Sequence, residues 1–126
     1  MPAALLLCDD LMFASRITGE ARALGLTVKT ARSLDQLLAL ASKESPSCIL
    51  LDLSFPGLEL PQLIQRLIEG GSARPRLIAY GSHVDTDRLQ AARLAGCDPV
   101  LPRSKFVEEL PKALPQWMSI SPTAPD

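Results

Sequence analysis

The chain has 126 residues, 13 Lys or Arg against 14 Asp or Glu, and a formal net charge of −1. With 47% hydrophobic and 21% charged residues it has the composition of one globular domain and not of a disordered chain. The near-neutral balance gives no basic field for nucleic acid or an anionic membrane, and 4% aromatics leave few rings for stacking bases.

The run Ala3 to Cys8 is continuously apolar, as in a strand covered on both faces, and ends in Asp9-Asp10. Leu11, Ala14, Ile17, Ala21 and Leu24 then recur at helical spacing. Gly19 weakens that helix slightly, and Gly25 stands where a left-handed cap closes it. Leu26 to Ala31 reads as the second strand. Ser33, with Gln36 three residues on, predicts a capping box that opens a helix carrying Leu34, Leu37, Leu38 and Ala41. Ser45-Pro46 ends that helix and leads into Ser47-Cys48-Ile49-Leu50-Leu51, a second apolar run closed by Asp52 and a turn through Pro56-Gly57.

Leu60, Leu63, Ile64, Leu67 and Ile68 fall on one helical stripe; Pro61 is tolerated in its first turn and Gly70-Gly71 stops it. Arg76 to Tyr80 reads as the fourth strand, followed by a Gly81-Ser82-His83 loop. Asp85 or Thr86 caps a helix bearing Leu89, Ala92, Leu94 and Ala95, closed by Gly96. Pro99 to Pro102 is a short strand whose prolines suit an edge or strand ends. Ser104 is expected to cap the last helix, with Phe106, Val107, Leu110 and Leu114 inward, and Pro111 to kink or split it. Residues 1–118 make the domain, and 119–126 read as a flexible tail.

Five strands alternating with five helices require parallel strands and right-handed crossovers, hence an α/β, doubly wound, three-layer (βα)5 sandwich. Cys8, Cys48 and Cys97 are odd in number and show no Cys-x-x-Cys spacing, so reduced core thiols in a cytoplasmic protein are expected. The N-terminus lacks a basic region with a cleavage site, and no apolar run reaches about 18 residues. Neither a leader nor a membrane span is therefore expected.

If the first and third strands lie side by side, Asp9, Asp10 and Asp52 converge at the sheet edge where open α/β sheets place ligands. Like charges that close are costly unless protonated or shared by a cation. The plain structural alternative is that Asp9 and Asp52 cap the following helix or turn. No G-x-G-x-x-G follows the first strand, which disfavours nucleotide binding. His83, the single histidine, receives no role.

In this order of elements the chain, from Leu5 to Trp117, resembles the receiver domain of two-component response regulators, with the chemotaxis-regulator-like fold. Leu5-Leu6-Leu7-Cys8-Asp9-Asp10 matches the acidic pair after the first strand. Ile49-Leu50-Leu51-Asp52-Leu53-Ser54-Phe55-Pro56-Gly57 matches the phosphoacceptor strand and its proline turn, and Leu94-Ala95-Gly96-Cys97-Asp98 resembles the end of the fourth helix. The resemblance implies a five-stranded parallel sheet of order 2-1-3-4-5. It makes Asp52 the phosphoacceptor, with Mg²⁺ held by Asp9, Asp10, Asp52 and the backbone carbonyl of Ser54. Phosphoryl transfer needs such a nucleophile and a divalent cation that neutralises phosphate charge.

The sequence departs from the family where the phosphoryl group is read out. The family's Thr or Ser after the fourth strand falls on Gly81 counting back from Gly96, or on Tyr80 counting forward from Pro75; Ser82 serves only if the loop shifts by one. The family's Lys-Pro after the fifth strand is Arg103-Ser104 here, with Lys105 two positions on, and the switch aromatic falls at Val100. Arg is a planar fork and not a compact point charge. By resemblance the donor is a histidine kinase or phosphotransfer protein and the target a downstream protein. No nucleic acid or membrane is engaged, and the chain is a monomer or weak homodimer. Any chemistry of its own is limited to self-phosphorylation from a donor and autodephosphorylation. The alternative is a phosphorylation-independent pseudo-receiver, a binding module in which Arg103 replaces the cation.

Overall fold

A computed structural model describes residues 3–70 and 75–119. In chain order the elements are β1 (Ala4–Leu7), α1 (Leu11–Ala23), β2 (Val28–Ala31), α2 (Leu34–Glu44) and β3 (Cys48–Asp52), then α3 (Leu60–Glu69), β4 (Arg76–Gly81), α4 (Thr86–Leu94), β5 (Val100–Pro102) and α5 (Arg103–Trp117). All strand pairs are parallel, in the order β2-β1-β3-β4-β5, so the expected doubly wound α/β sandwich is the observed one.

The continuous apolar runs have the reason read from them. Every residue of β1 and of β3 is buried, because helices cover both faces. Successive side chains point to opposite faces, which splits the core into two layers. Leu5, Leu7, Ile49, Leu51 and Ala79 pack with Leu37, Leu63 and Leu89 of α2, α3 and α4. Leu6, Cys8, Leu50, Ile78 and Tyr80 pack with Ile17, Phe106, Leu110 and Leu114 of α1 and α5. Each fully buried Leu or Ile contributes roughly 1.5–3 kcal/mol of transfer free energy.

The helix ends follow local chemistry. Asp10 caps α1, and Gly25 takes the left-handed conformation after it, at φ 75°. Ser33 Oγ accepts the Gln36 N–H at 3.0 Å, but Gln36 Oε1 accepts from Arg32 N–H at 2.8 Å, so the box closes one residue upstream of its usual partner. Of the two candidate caps for α4, Asp85 is the one used. All three cysteines are buried thiols, as expected of core positions. Among the described residues no helix is long and apolar enough to cross a membrane.

Four details differ from expectation. Leu94 is 79% exposed, because it lies five residues past Leu89, about 140° further round a helix of 3.6 residues per turn. Ser104 does not cap α5: the helix starts at Arg103 with Pro102 as its N-cap and no side-chain cap bond. Pro111 and Pro115 lie inside one unbroken α5; both are exposed, so water can reach the carbonyls that lose an N–H partner. Gly81 is the last residue of β4 and not loop. Gly71 of the expected helix stop and all of the expected tail beyond Ser119 lie outside the described residues.

Truncating Leu50→Ala, fully buried between the helical layers, is expected to lower unfolding free energy by about 2–5 kcal/mol. Leu94→Ser is expected to stay within about 0.5 kcal/mol of the parent. Equilibrium urea unfolding measures both.

Candidate functional site

The site grows from the register of the three central strands. Leu7 pairs with Leu51, so Cys8 continues β1 beside Asp52, and Tyr80 pairs with Asp52 from β4. Cys48, Leu50 and Asp52 share a face by strand alternation, as do Ile78 and Tyr80. Asp52 and Tyr80 therefore point together toward α1 and α5.

Asp52 is the buried charged residue of the described chain, at 3% exposure. A carboxylate there needs every lone pair answered. Its Oδ1 accepts the Ser54 N–H at 2.8 Å, which also shapes the turn after β3. Its Oδ2 faces the Cys8 thiol at 3.6 Å and the Arg103 guanidinium at 3.8 Å. Arg103 opens α5 and lies over the Phe13 ring, 4.8 Å from its centroid. Its side chain is 41% exposed, so solvent screens the pair and its net worth is on the order of 1 kcal/mol.

The other expected ligands reach the same end of the sheet by different means. Asp10 is exposed, and one of its oxygens accepts the Met12 and Phe13 N–H groups at 3.0 and 3.1 Å. Its carboxylate thus does the capping that the structural alternative gave to Asp9. Asp9 and Ser54 are exposed. Among the described residues no three His, Cys, Asp or Glu side chains are grouped so as to hold a metal ion. The donor chemistry nevertheless suits Mg²⁺: three carboxylates and a carbonyl are hard oxygen ligands, two of the carboxylates are open to water, and an ion such as Mg²⁺ keeps several waters. The cation that faces Asp52 in the structure is Arg103.

The residues expected to touch a phosphoryl group separate. A Cβ on Gly81 would meet Leu53 Cβ at 3.3 Å, so position 81 faces Leu53 and Leu89 and not Asp52. Of the two counts, the register places Tyr80 opposite Asp52. The Ser82 hydroxyl accepts the Val84 N–H at 3.4 Å. Lys105 pairs along α5 with Glu108 at 3.8 Å and Glu109 at 3.7 Å. Val100 is buried on the opposite side of the sheet from Asp52. An open cleft of about 710 Å³ lies beside the site, lined by Phe13, Arg16, Ser54, Ser82, His83, Arg103, Ser104 and Val107.

Two residues of the site have contacts that the sequence does not foretell. Cys8 reads as a core thiol and is one, but it also touches Asp52. Burial raises its pKa, chiefly by desolvating the thiolate, so it stays a neutral donor. Tyr80 reads as the last residue of the fourth strand and as one of two counts for the family's Thr or Ser. Burial first, and the Asp52 charge second, push its phenol far above the ordinary value. Its hydroxyl is buried beside Cys8 with no hydrogen-bond partner of good geometry.

The same arrangement of elements occurs in solved structures. The receiver domain of a response regulator from Bermanella marisrubri superposes with a TM-score of 0.79 at 24% identity, covering 93% of this chain and 98% of that one. The receiver domain of the Francisella response regulator 1452 gives 0.76 at 19% identity, covering 94% and 97%. The chain has the receiver-domain fold. A third receiver-fold match, a response regulator from Burkholderia pseudomallei, gives 0.73 at 21% identity over 95% of this chain and 68% of that one; its structure contains a phosphorylated aspartic acid, a calcium ion and citrate. No protein-family model matches the sequence, and no curated protein matches it.

Within this receiver fold the thiols are expected to be inert. Burial pushes the Cys48 thiol up to about 12 and raises that of Cys8, and the thiolate is the reactive form. At mildly alkaline pH, Ellman's reagent is expected to modify neither in native protein and all three cysteines once urea unfolds it. Rapid native labelling of Cys48 would contradict the packing.

Proposed function

We propose that the chain is a cytoplasmic phosphoacceptor receiver of a two-component or phosphorelay system, taking a phosphoryl group on Asp52. The observation that carries this reading is one buried carboxylate at the C-terminal end of the central strand, beside a cleft that holds Arg16 and Arg103. Open parallel sheets bind ligands at this edge.

The Ser54 N–H fixes Oδ1, which leaves Oδ2 as the attacking oxygen. The new bond joins Oδ2 to phosphorus, and the bond to the donor breaks with its electron pair leaving on the donor group. In a phosphohistidine donor that group is an imidazole nitrogen. Arg103 answers the negative charge that gathers on the phosphoryl oxygens, and its planar fork suits two of them at once. Ser82, on the cleft wall, is the hydroxyl candidate for a further contact; Gly81 brings none, and Lys105 is engaged along α5. Mg²⁺ bound by Asp9, Asp10, Asp52 and the Ser54 carbonyl would neutralise phosphoryl charge. Both capping bonds of Asp10 use one oxygen. The donor would be a histidine kinase or phosphotransfer protein, the output a contact with a downstream protein, and the chain a monomer or weak homodimer.

A second reading starts from Arg103. Arg103 sits 3.8 Å from Asp52 and supplies the positive charge that a metal would otherwise bring. In that case the fold is a phosphorylation-independent interaction module.

Acetyl phosphate or phosphoramidate with Mg²⁺ is expected to add one phosphoryl mass to the wild type and none to Asp52→Asn. An unmodified wild type would leave only the interaction module. Arg103→Met is expected to tighten Mg²⁺ binding about five- to tenfold, the effect of removing one partly screened charge near 4 Å. Amide shifts around Asp52 during a Mg²⁺ titration report it, and unchanged affinity would separate Arg103 from the metal site.

A further inference from the structure

Tyr80 is 0% exposed, and its hydroxyl is buried beside the Cys8 thiol without a hydrogen bond of good geometry. Leaving such a group unsatisfied in the interior is destabilising. Phe would fill the same space without that cost. The reason for the missing bond is on the neighbouring strand. Asp52 pairs with Tyr80 in register, but its Oδ1 takes the Ser54 N–H and its Oδ2 faces Cys8 and Arg103. An added group at Asp52 would bring new acceptor oxygens to this place.

The ring of Tyr80 is also the first member of a stack. It lies 4.4 Å from Phe106, centroid to centroid, and Phe106 lies 5.8 Å from Trp117, with planes within 28° and 13° of parallel. On its other side it meets Phe13 of α1 at 5.2 Å. Close-packed rings cannot move singly, so a shift of one is passed to the next. Phe106 and Trp117 sit near the two ends of α5.

We infer that Tyr80 is the positioning residue that reads the state of Asp52. Its unpartnered hydroxyl is the donor that meets negative charge added there, and its ring carries the displacement through Phe106 to Trp117 and the C-terminal end of α5. This rests on Asp52 as the phosphoacceptor. It adds the donor and the route, neither of which the acidic residues specify.

Trp117 is the chain's single tryptophan, so its emission reports the far end of the route. Wild type, Tyr80→Phe and Phe106→Leu are each treated with acetyl phosphate and Mg²⁺, and mass and fluorescence are read on the same samples. The wild type is expected to gain a phosphoryl mass and shift its emission. Tyr80→Phe is expected to gain the mass, lose the emission change and unfold in urea at a midpoint no lower than wild type. Phe106→Leu is expected to gain the mass and lose the shift with the hydroxyl still present. An emission change retained in either variant overturns the inference, as does mass without a shift in the wild type, or a Tyr80→Phe less stable than the parent. A wild type that gains no mass instead overturns Asp52 as acceptor, and the inference with it.

Discussion

One carboxylate removed from water governs the arrangement around it. Asp52 is 3% exposed. An isolated ionised carboxylate in a dry interior would cost tens of kcal/mol, so it exists only where other groups answer it. Here three do, and each comes from a different part of the chain: the Ser54 N–H from the turn after β3, the Cys8 thiol from the end of β1, the Arg103 guanidinium from the start of α5. The strand order brings these ends together, with β1 on one side of β3 and β4 and β5 on the other. Displace β1 from β3 and the acid loses a neighbour; shorten β5 and α5 delivers its first residue elsewhere. The topology is in this sense a device for stabilising one buried charge at a sheet edge.

Much of this was legible because burial on both faces leaves a plain mark. Leu5-Leu6-Leu7 and Ile49-Leu50-Leu51 are apolar without alternation, which only strands roofed by helices on both sides require. Gly25 and Gly96 mark helix ends where φ is positive, and Ser33 with Gln36 marks a helix start. The details that escaped depend on rotation and register, which residue types do not encode. Leu94 is apolar yet exposed because α4 is short and turns it away from Leu89. Pro111 suggests a break, but its neighbours Leu110 and Leu114 are buried against the sheet side of the helix, and that packing favours a continuous α5. Tyr80 and Gly81 could not be told apart as the partner of Asp52, since counts from Pro75 and from Gly96 differ by one, and one residue in a strand exchanges faces.

The site was legible in its acids more than in its contacts. Asp9, Asp10 and Asp52 could be placed at one end of the sheet from strand order alone. Which oxygen bonds which donor could not. Asp10 stabilises the N-terminus of α1, a role compatible with its residue type and invisible in its spacing. Arg103 could be read as standing in the family's Lys position or in place of the cation, without a place for its guanidinium. Its stacking on Phe13, which fixes where the guanidinium lies, depends on a ring ninety residues earlier in the sequence.

The choice between a tethered cation and a diffusible one has physical consequences. A guanidinium at 3.8 Å, partly in water, compensates Asp52 only in part, and does so whether or not a metal is present. A phosphorylated side chain carries about −1.5 to −2 charge at neutral pH, more than the carboxylate it replaces. Arg103 would then face the larger charge from the same anchor on Phe13, and its attraction to the site would rise while its own position need change little. Movement would fall instead on neighbours with an unmet bonding capacity. Of the groups packed against Asp52, Tyr80 is the one whose buried hydroxyl meets that description.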